Sequence, residues 1–68
     1  MTDVTKLKQE IDNSGLKLDY IAKHLGITRQ TLSKKLKGQA EFKQSEMVIL
    51  SYLLNLSPTE REFIFFKP

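Results

Sequence analysis

Two short apolar patterns separated by one glycine constrain this chain more than any other feature. Ile21, Ala22 and Leu25 recur at helical spacing up to Gly26, and Leu32 and Leu36 repeat that spacing up to Gly38. Only Ile27 and Thr28 stand between Gly26 and the expected start of the second helix at Arg29, so the connection is a tight turn. Glycine supplies the left-handed backbone that such a helix end requires. Thr28 is placed to cap a helix over about residues 29–37, and Ala22 is small where two helices must approach closely. Ile21, Leu25, Ile27, Leu32 and Leu36 are then expected to pack between the two helices and against a core. The second helix would project its polar, basic side outward. This is a helix-turn-helix over about residues 18–37.

The flanking sequence supplies the brace. Val4, Leu7 and Ile11 form one stripe of a first helix over about residues 4–13, with Thr2 or Asp3 as cap and Gly15 as stop. After a connector at residues 39–43 that contains Phe42, a fourth helix is expected over about residues 44–55. Met47, Val48, Ile49, Leu50, Tyr52, Leu53 and Leu54 leave only Ser51 polar there, so this helix is expected to be surrounded by the others. A buried strand is the rival, and the length and leucine content favour helix. Ser57-Pro58-Thr59-Glu60 combines a capping serine, proline at the first helical position and glutamate at the third, so a fifth helix starts there and runs through Phe66. No repeat or linker interrupts the pattern. The expected fold is all-α, one compact five-helix domain over residues 1–68.

Several function classes fall away. The chain of 68 residues has no cysteine and one histidine, so it offers neither a disulfide framework nor the ligand set of a zinc site. Neither a metal nor a cofactor is expected. No apolar stretch approaches the roughly 20 residues of a membrane span. The first residues lack the apolar run of a secretory signal, so the start is read as native and the protein as cytoplasmic. His24 has no partner at ligand spacing, Asp12 and Asp19 form no acid and base pair, and no serine or glycine sits in a nucleophile elbow or phosphate loop. No enzyme is expected.

Charge points to a polyanion. Residues 23–43 carry Lys23, Arg29, Lys34, Lys35, Lys37 and Lys43 against Glu41 alone, a net +5, whereas the segments on either side each sum to −1. A basic band of this kind is the electrostatic footprint of nucleic-acid binding, the bland alternative being a solvated lysine-rich face.

The sequence resembles the Cro and repressor, or XRE, family of phage and bacterial DNA-binding proteins. The likeness covers nearly the whole chain. It rests on Tyr20-Ile21-Ala22-Lys23, Leu25-Gly26-Ile27-Thr28, Gln30-Thr31-Leu32-Ser33, Gly38 and the long apolar helix that follows. It implies a lambda-repressor-like domain that binds double-stranded operator DNA, generally as a homodimer on paired half-sites. By the same resemblance Thr28, Arg29, Gln30, Ser33 and Lys34 would face base edges, and their side chains suit guanine and adenine acceptors and donors. Lys17, Lys23, Lys35, Lys37 and Lys43, with helix-start amides near Leu18 and Gln44, would meet phosphates. Lys35 stands where many relatives place an apolar residue.

The run Phe63-Ile64-Phe65-Phe66 cannot point wholly into one small core. Phe63, Phe65 and Phe66, with Leu56 or Tyr52 beside them, are candidates for a contact between two subunits; the alternative is a last helix folded back on the first and fourth. Two functions follow. One is a sequence-specific transcriptional regulator, expected in a phage or other mobile element and associated with the nucleoid. The other is a helical protein-interaction module, antitoxin-like or antirepressor-like, that does not read DNA sequence.

Overall fold

The computed structural model describes residues 1–67; Pro68, the last residue of the expected domain, lies outside the described residues. Five helices follow one another: α1 Val4–Ser14, α2 Leu18–Leu25, α3 Arg29–Leu36, α4 Gln44–Leu53 and α5 Pro58–Phe65. No strand occurs among the described residues. The core gathers Leu7 and Ile11 of α1, Ile21, Ala22 and Leu25 of α2, Leu32 and Leu36 of α3, Phe42, Leu50 of α4, and Ile64 and Phe65 of α5. Helix α2 packs on both α3 and α4, and α1 packs on α3 and α5.

The helix ends follow their sequences. Asp3 caps α1 by accepting from the Lys6 N–H at 3.1 Å, and Ser57 and Glu60 form a reciprocal capping box at the start of α5. At Gly26 (φ 73°) the Ile27 N–H donates to the Ala22 carbonyl and the Gly26 N–H to that of Lys23. The same pair of bonds closes α3 at Gly38. It recurs after α4, where Asn55 takes φ 53° and the Leu56 N–H reaches the Ser51 carbonyl. That turn ends α4 at Leu53, two residues before the expected end.

Helix α4 is not surrounded. Tyr52 is 85% exposed and Val48 49%, while Leu50 is fully buried and Met47, Ile49, Leu53 and Leu54 are half-buried. A five-helix domain of this size has too few neighbours to cover a helix on every side.

Both ends of the chain are tied to each other. The Asp3 N–H donates to the Ile64 carbonyl at 2.6 Å, the Lys67 N–H donates to the Met1 carbonyl, and Lys67 Nζ lies 3.6 Å from Asp3 Oδ2. This contact folds α5 back on α1 and settles the aromatic run. Ile64 and Phe65 turn inward, and Phe63 and Phe66 turn outward at 69% and 53% exposed. Phe65, expected at a subunit contact, is instead a core residue packed edge-on against Phe42 at 6.1 Å.

Lys35 also departs from its expected place. It is 6% exposed, and its Nζ donates to Glu46 Oε1 at 2.5 Å, so it is not placed for a phosphate. Position explains this: Lys35 lies beside Leu32 and Leu36 on the buried side of α3, and an ammonium buried there requires a partner. The same Glu46 oxygen accepts the Lys43 N–H at 2.8 Å, and the Phe42 ring lies 5.8 Å from Nζ. Burial pushes the Glu46 carboxyl up, but the Lys35 ammonium and the Lys43 N–H outweigh it and hold the group below the ordinary glutamate value of 4.5.

Glu46→Ala leaves a buried ammonium unpaired and is expected to cost about 3–5 kcal/mol in urea denaturation, whereas Lys35→Met with Glu46→Leu recovers most of that loss. Because the folded-state value lies below the unfolded one, the Glu46 contribution is fully present above about pH 4.5 and fades as pH falls through the folded value. The stability gap between wild type and the double variant, measured from pH 7 to pH 3, is expected to move in favour of the double variant at the acid end.

Candidate nucleic-acid interface

Helix α3 is eight residues long and carries few apolar groups, so its own propensity does not hold it. Leu32 and Leu36 anchor it to the core, and Thr28 fixes its start by accepting the Thr31 N–H at 3.1 Å. The opposite side is left to solvent. Arg29, Gln30 and Lys34 are exposed there, Ser33 is half-buried, and all four line one shallow depression with Lys37 and Gln39.

A second depression adjoins it. It runs between the end of α1, the start of α2 and α3, over a floor that includes Ile11, Leu16, Leu18 and Leu36. Lys8, Lys17, Arg29 and Lys37 line it together with Asp12, Asp19 and Ser33. Arg29, Ser33 and Lys37 belong to both depressions, so the two form one continuous face rimmed by polar and charged side chains. Asp19 Oδ2 lies 3.7 Å from Arg29 Nη1 across it.

Among the expected base-facing residues, Arg29, Gln30, Ser33 and Lys34 therefore share one surface. Thr28 differs. Its hydroxyl accepts the Thr31 N–H and donates to Thr31 Oγ1 at 2.9 Å, so its proton is taken and it has its methyl and one acceptor lone pair left to meet a base. Among the expected phosphate contacts, Lys17 and Lys37 lie on the face. Lys23 is exposed on α2 but lines neither depression, and the same holds for Lys43 and Gln44 at the start of α4. Lys43 caps α4 only in part, since its N–H donates to Glu46 but its side chain cannot accept a bond in return.

Lys8 and Asp19 belong to the face and were not expected there. Lys8 lies in a segment of negative net charge, which hid it from a count by segments. A helical projection places it one position beyond buried Leu7, toward the exposed side of α1. Asp19 is four residues before Lys23, and only the tertiary approach of α2 to α3 shows its pairing with Arg29.

The single histidine is bound up locally. His24 Nδ1 donates to the Tyr20 carbonyl at 3.0 Å, and its ring lies 4.3 Å from that of Tyr20. Among the described residues no group of three or more His, Cys, Asp or Glu side chains could hold a metal ion. No described helix is long and apolar enough to cross a membrane.

A family model described as helix-turn-helix matches residues 7–61, from α1 into α5. The chain belongs to the XRE-type helix-turn-helix family. No curated protein and no solved structure gives a match. XRE-type helix-turn-helix domains are DNA-binding regulatory domains and not an enzyme family, so DNA is the partner class of this one. The match takes in the turn at Gly26 and the whole of α3, the elements that build the polar face.

Gly26→Ala meets no neighbouring atom, so its cost comes from the left-handed backbone alone. A loss of about 1–2 kcal/mol is expected in thermal unfolding. Thr28→Ala removes the cap of α3 and is expected to cost about 1 kcal/mol in the same measurement.

Proposed function

We propose that this XRE-type domain, residues 1–68, is a sequence-specific regulator of transcription that inserts α3 into the major groove of an operator. The observation that carries the proposal is the two-sidedness of α3. Leu32, Lys35 and Leu36 hold it from behind, while Arg29, Gln30 and Lys34 stand exposed on one surface with Ser33 and Lys37. Arginine and lysine suit the O6 and N7 acceptors of guanine, glutamine suits adenine, and the serine hydroxyl and the Thr28 methyl suit several bases. Lys17 and Lys37 on the same face, with Lys23, Lys43 and the α4 start at Gln44 around it, would contact phosphates and set the register. Lys8 joins that group. Such a protein would work in the cytoplasm, on the nucleoid, at a promoter of a phage or other mobile element.

The proposed assembly is a homodimer. Phe66 is exposed beside Tyr52 and the half-buried Leu56, and exposed Phe63 shares a neighbouring depression with Phe66, so the apolar groups form a larger cluster than isolated surface residues make. For two such copies to reach successive major grooves on one side of a duplex, their recognition helices must lie about 34 Å apart.

The same aromatic patch supports a second reading, a protein-interaction module of antitoxin or antirepressor type. Salt distinguishes them. DNA binding weakens steeply with salt as counterions are taken up again by phosphates, whereas an apolar protein contact does not.

Selection of bound duplexes from a random pool, followed by titration of the selected site at several salt concentrations, tests the primary reading. Gln30→Ala and Lys34→Ala are each expected to cost about 1–3 kcal/mol on the selected site and to relax its sequence, while Lys43→Ala weakens all duplexes alike and lowers the salt slope by about 1. Equal losses on selected and random duplexes for Gln30→Ala and Lys34→Ala would remove the base-reading assignment. Phe63→Lys with Phe66→Lys is expected to shift sedimentation toward the monomer without lowering helix content; a wild-type chain that stays monomeric at high micromolar concentration, with and without DNA, removes the dimer.

A further inference from the structure

One acidic side chain sits where DNA binding alone would not put it. Asp19 is exposed in the first turn of α2, in a depression whose cations are Lys8, Lys17, Arg29 and Lys37. Asp12 is the other carboxylate lining that depression. A carboxylate on such a face repels the phosphate backbone, so general attraction to DNA does not account for it.

Stability does not account for it either. Asp19 Oδ2 lies 3.7 Å from Arg29 Nη1, and the two side chains are 72% and 62% exposed. A solvated pair of this kind adds little to folding, and an acid in the first turn of a short exposed helix adds a similarly small amount. What the pair changes is where Arg29 can go. Arg29 is the first residue of α3, and a long arginine there can turn either to a base edge or to a nearby phosphate. The phosphate contact is open to every sequence; the base contact is not. With Nη1 turned toward Asp19, the Nε and Nη2 edge stays free to present two parallel donors, the geometry that matches O6 and N7 of guanine. A phosphate approaching the same guanidinium also meets the Asp19 charge.

We infer that Asp19 is a specificity-determining residue that positions Arg29 for a guanine edge and withholds affinity from duplexes that offer only phosphates. The inference rests on the reading of Arg29 as a base contact, and the test separates the two.

The full chain is compared as wild type, Asp19→Asn, Arg29→Ala and the double variant. Each is titrated against the duplex selected by wild type, its single-base substitutions and a random duplex of equal length, with circular dichroism confirming the fold. Loss of the carboxylate is expected to tighten binding to the random duplex about threefold. It is also expected to lower, by about fivefold or more, the preference at the one base pair whose recognition Arg29→Ala abolishes. In the Arg29→Ala background, Asp19→Asn is expected to change selected and random duplexes by the same factor. If Asp19→Asn tightens both duplexes equally in the wild-type background and leaves every base preference intact, Asp19 acts as bulk charge and the inference is overturned. If Arg29→Ala keeps every base preference of wild type, the base-reading role of Arg29 fails and takes the inference with it.

Discussion

The buried pair between Lys35 and Glu46 is the interaction on which the placement of α3 depends. It joins the last turn of α3 to the first turn of α4, and the same Glu46 oxygen holds the Lys43 N–H. Phe42 borders the ammonium and leans on Phe65, so the segment between the two helices is pinned where it enters α4 by both Phe42 and Lys43. An apolar residue at position 35 would bury as well, but it would not specify a single partner. A charged pair tolerates one arrangement, because any other leaves an ammonium or a carboxylate without compensation in a dry interior.

Much of this fold is legible in the sequence wherever a local rule acts alone. The starts of α3 and α5 follow from Thr28 and from Ser57-Pro58-Thr59-Glu60, and the ends of α2 and α3 follow from Gly26 and Gly38, because caps and left-handed turns depend on a few adjacent residues. The inward positions Leu7, Ile11, Ile21, Ala22, Leu25, Leu32 and Leu36 follow from helical spacing for the same reason. Rotation of a helix about its own axis is less accessible. In α4 nearly every residue is apolar, so periodicity does not say that Leu50 faces in and Tyr52 out. In α5 the bond from the Asp3 N–H to the Ile64 carbonyl, 61 positions away along the chain, accompanies the turn of Ile64 and Phe65 inward.

The candidate interface shows the same division. Arg29, Gln30, Ser33 and Lys34 share a surface because their spacing on one helix puts them there. Lys35 departs from the basic band because its partner stands eleven residues further on, in another helix. Thr28 illustrates a different limit. Residue type suits it both to cap a helix and to touch a base, and geometry commits its proton and one lone pair to Thr31 at the helix start. Charge counted by segments likewise shows where cations are concentrated in sequence, while Lys8 and Asp19 enter the face only through the packing of α1 and α2 against α3.

The turn between α2 and α3 has a consequence for the nucleic acid itself. Three residues, two of them closing α2 with one backbone bond each, leave the two helices little freedom to hinge, and buried aliphatic side chains back them. If α3 enters a groove as proposed, a reader this stiff cannot mould itself to one of the wrong width. The bending and twisting needed for a close fit would then fall to the double helix, so steps that yield easily, such as TA and CA, would acquire value even where no side chain touches them.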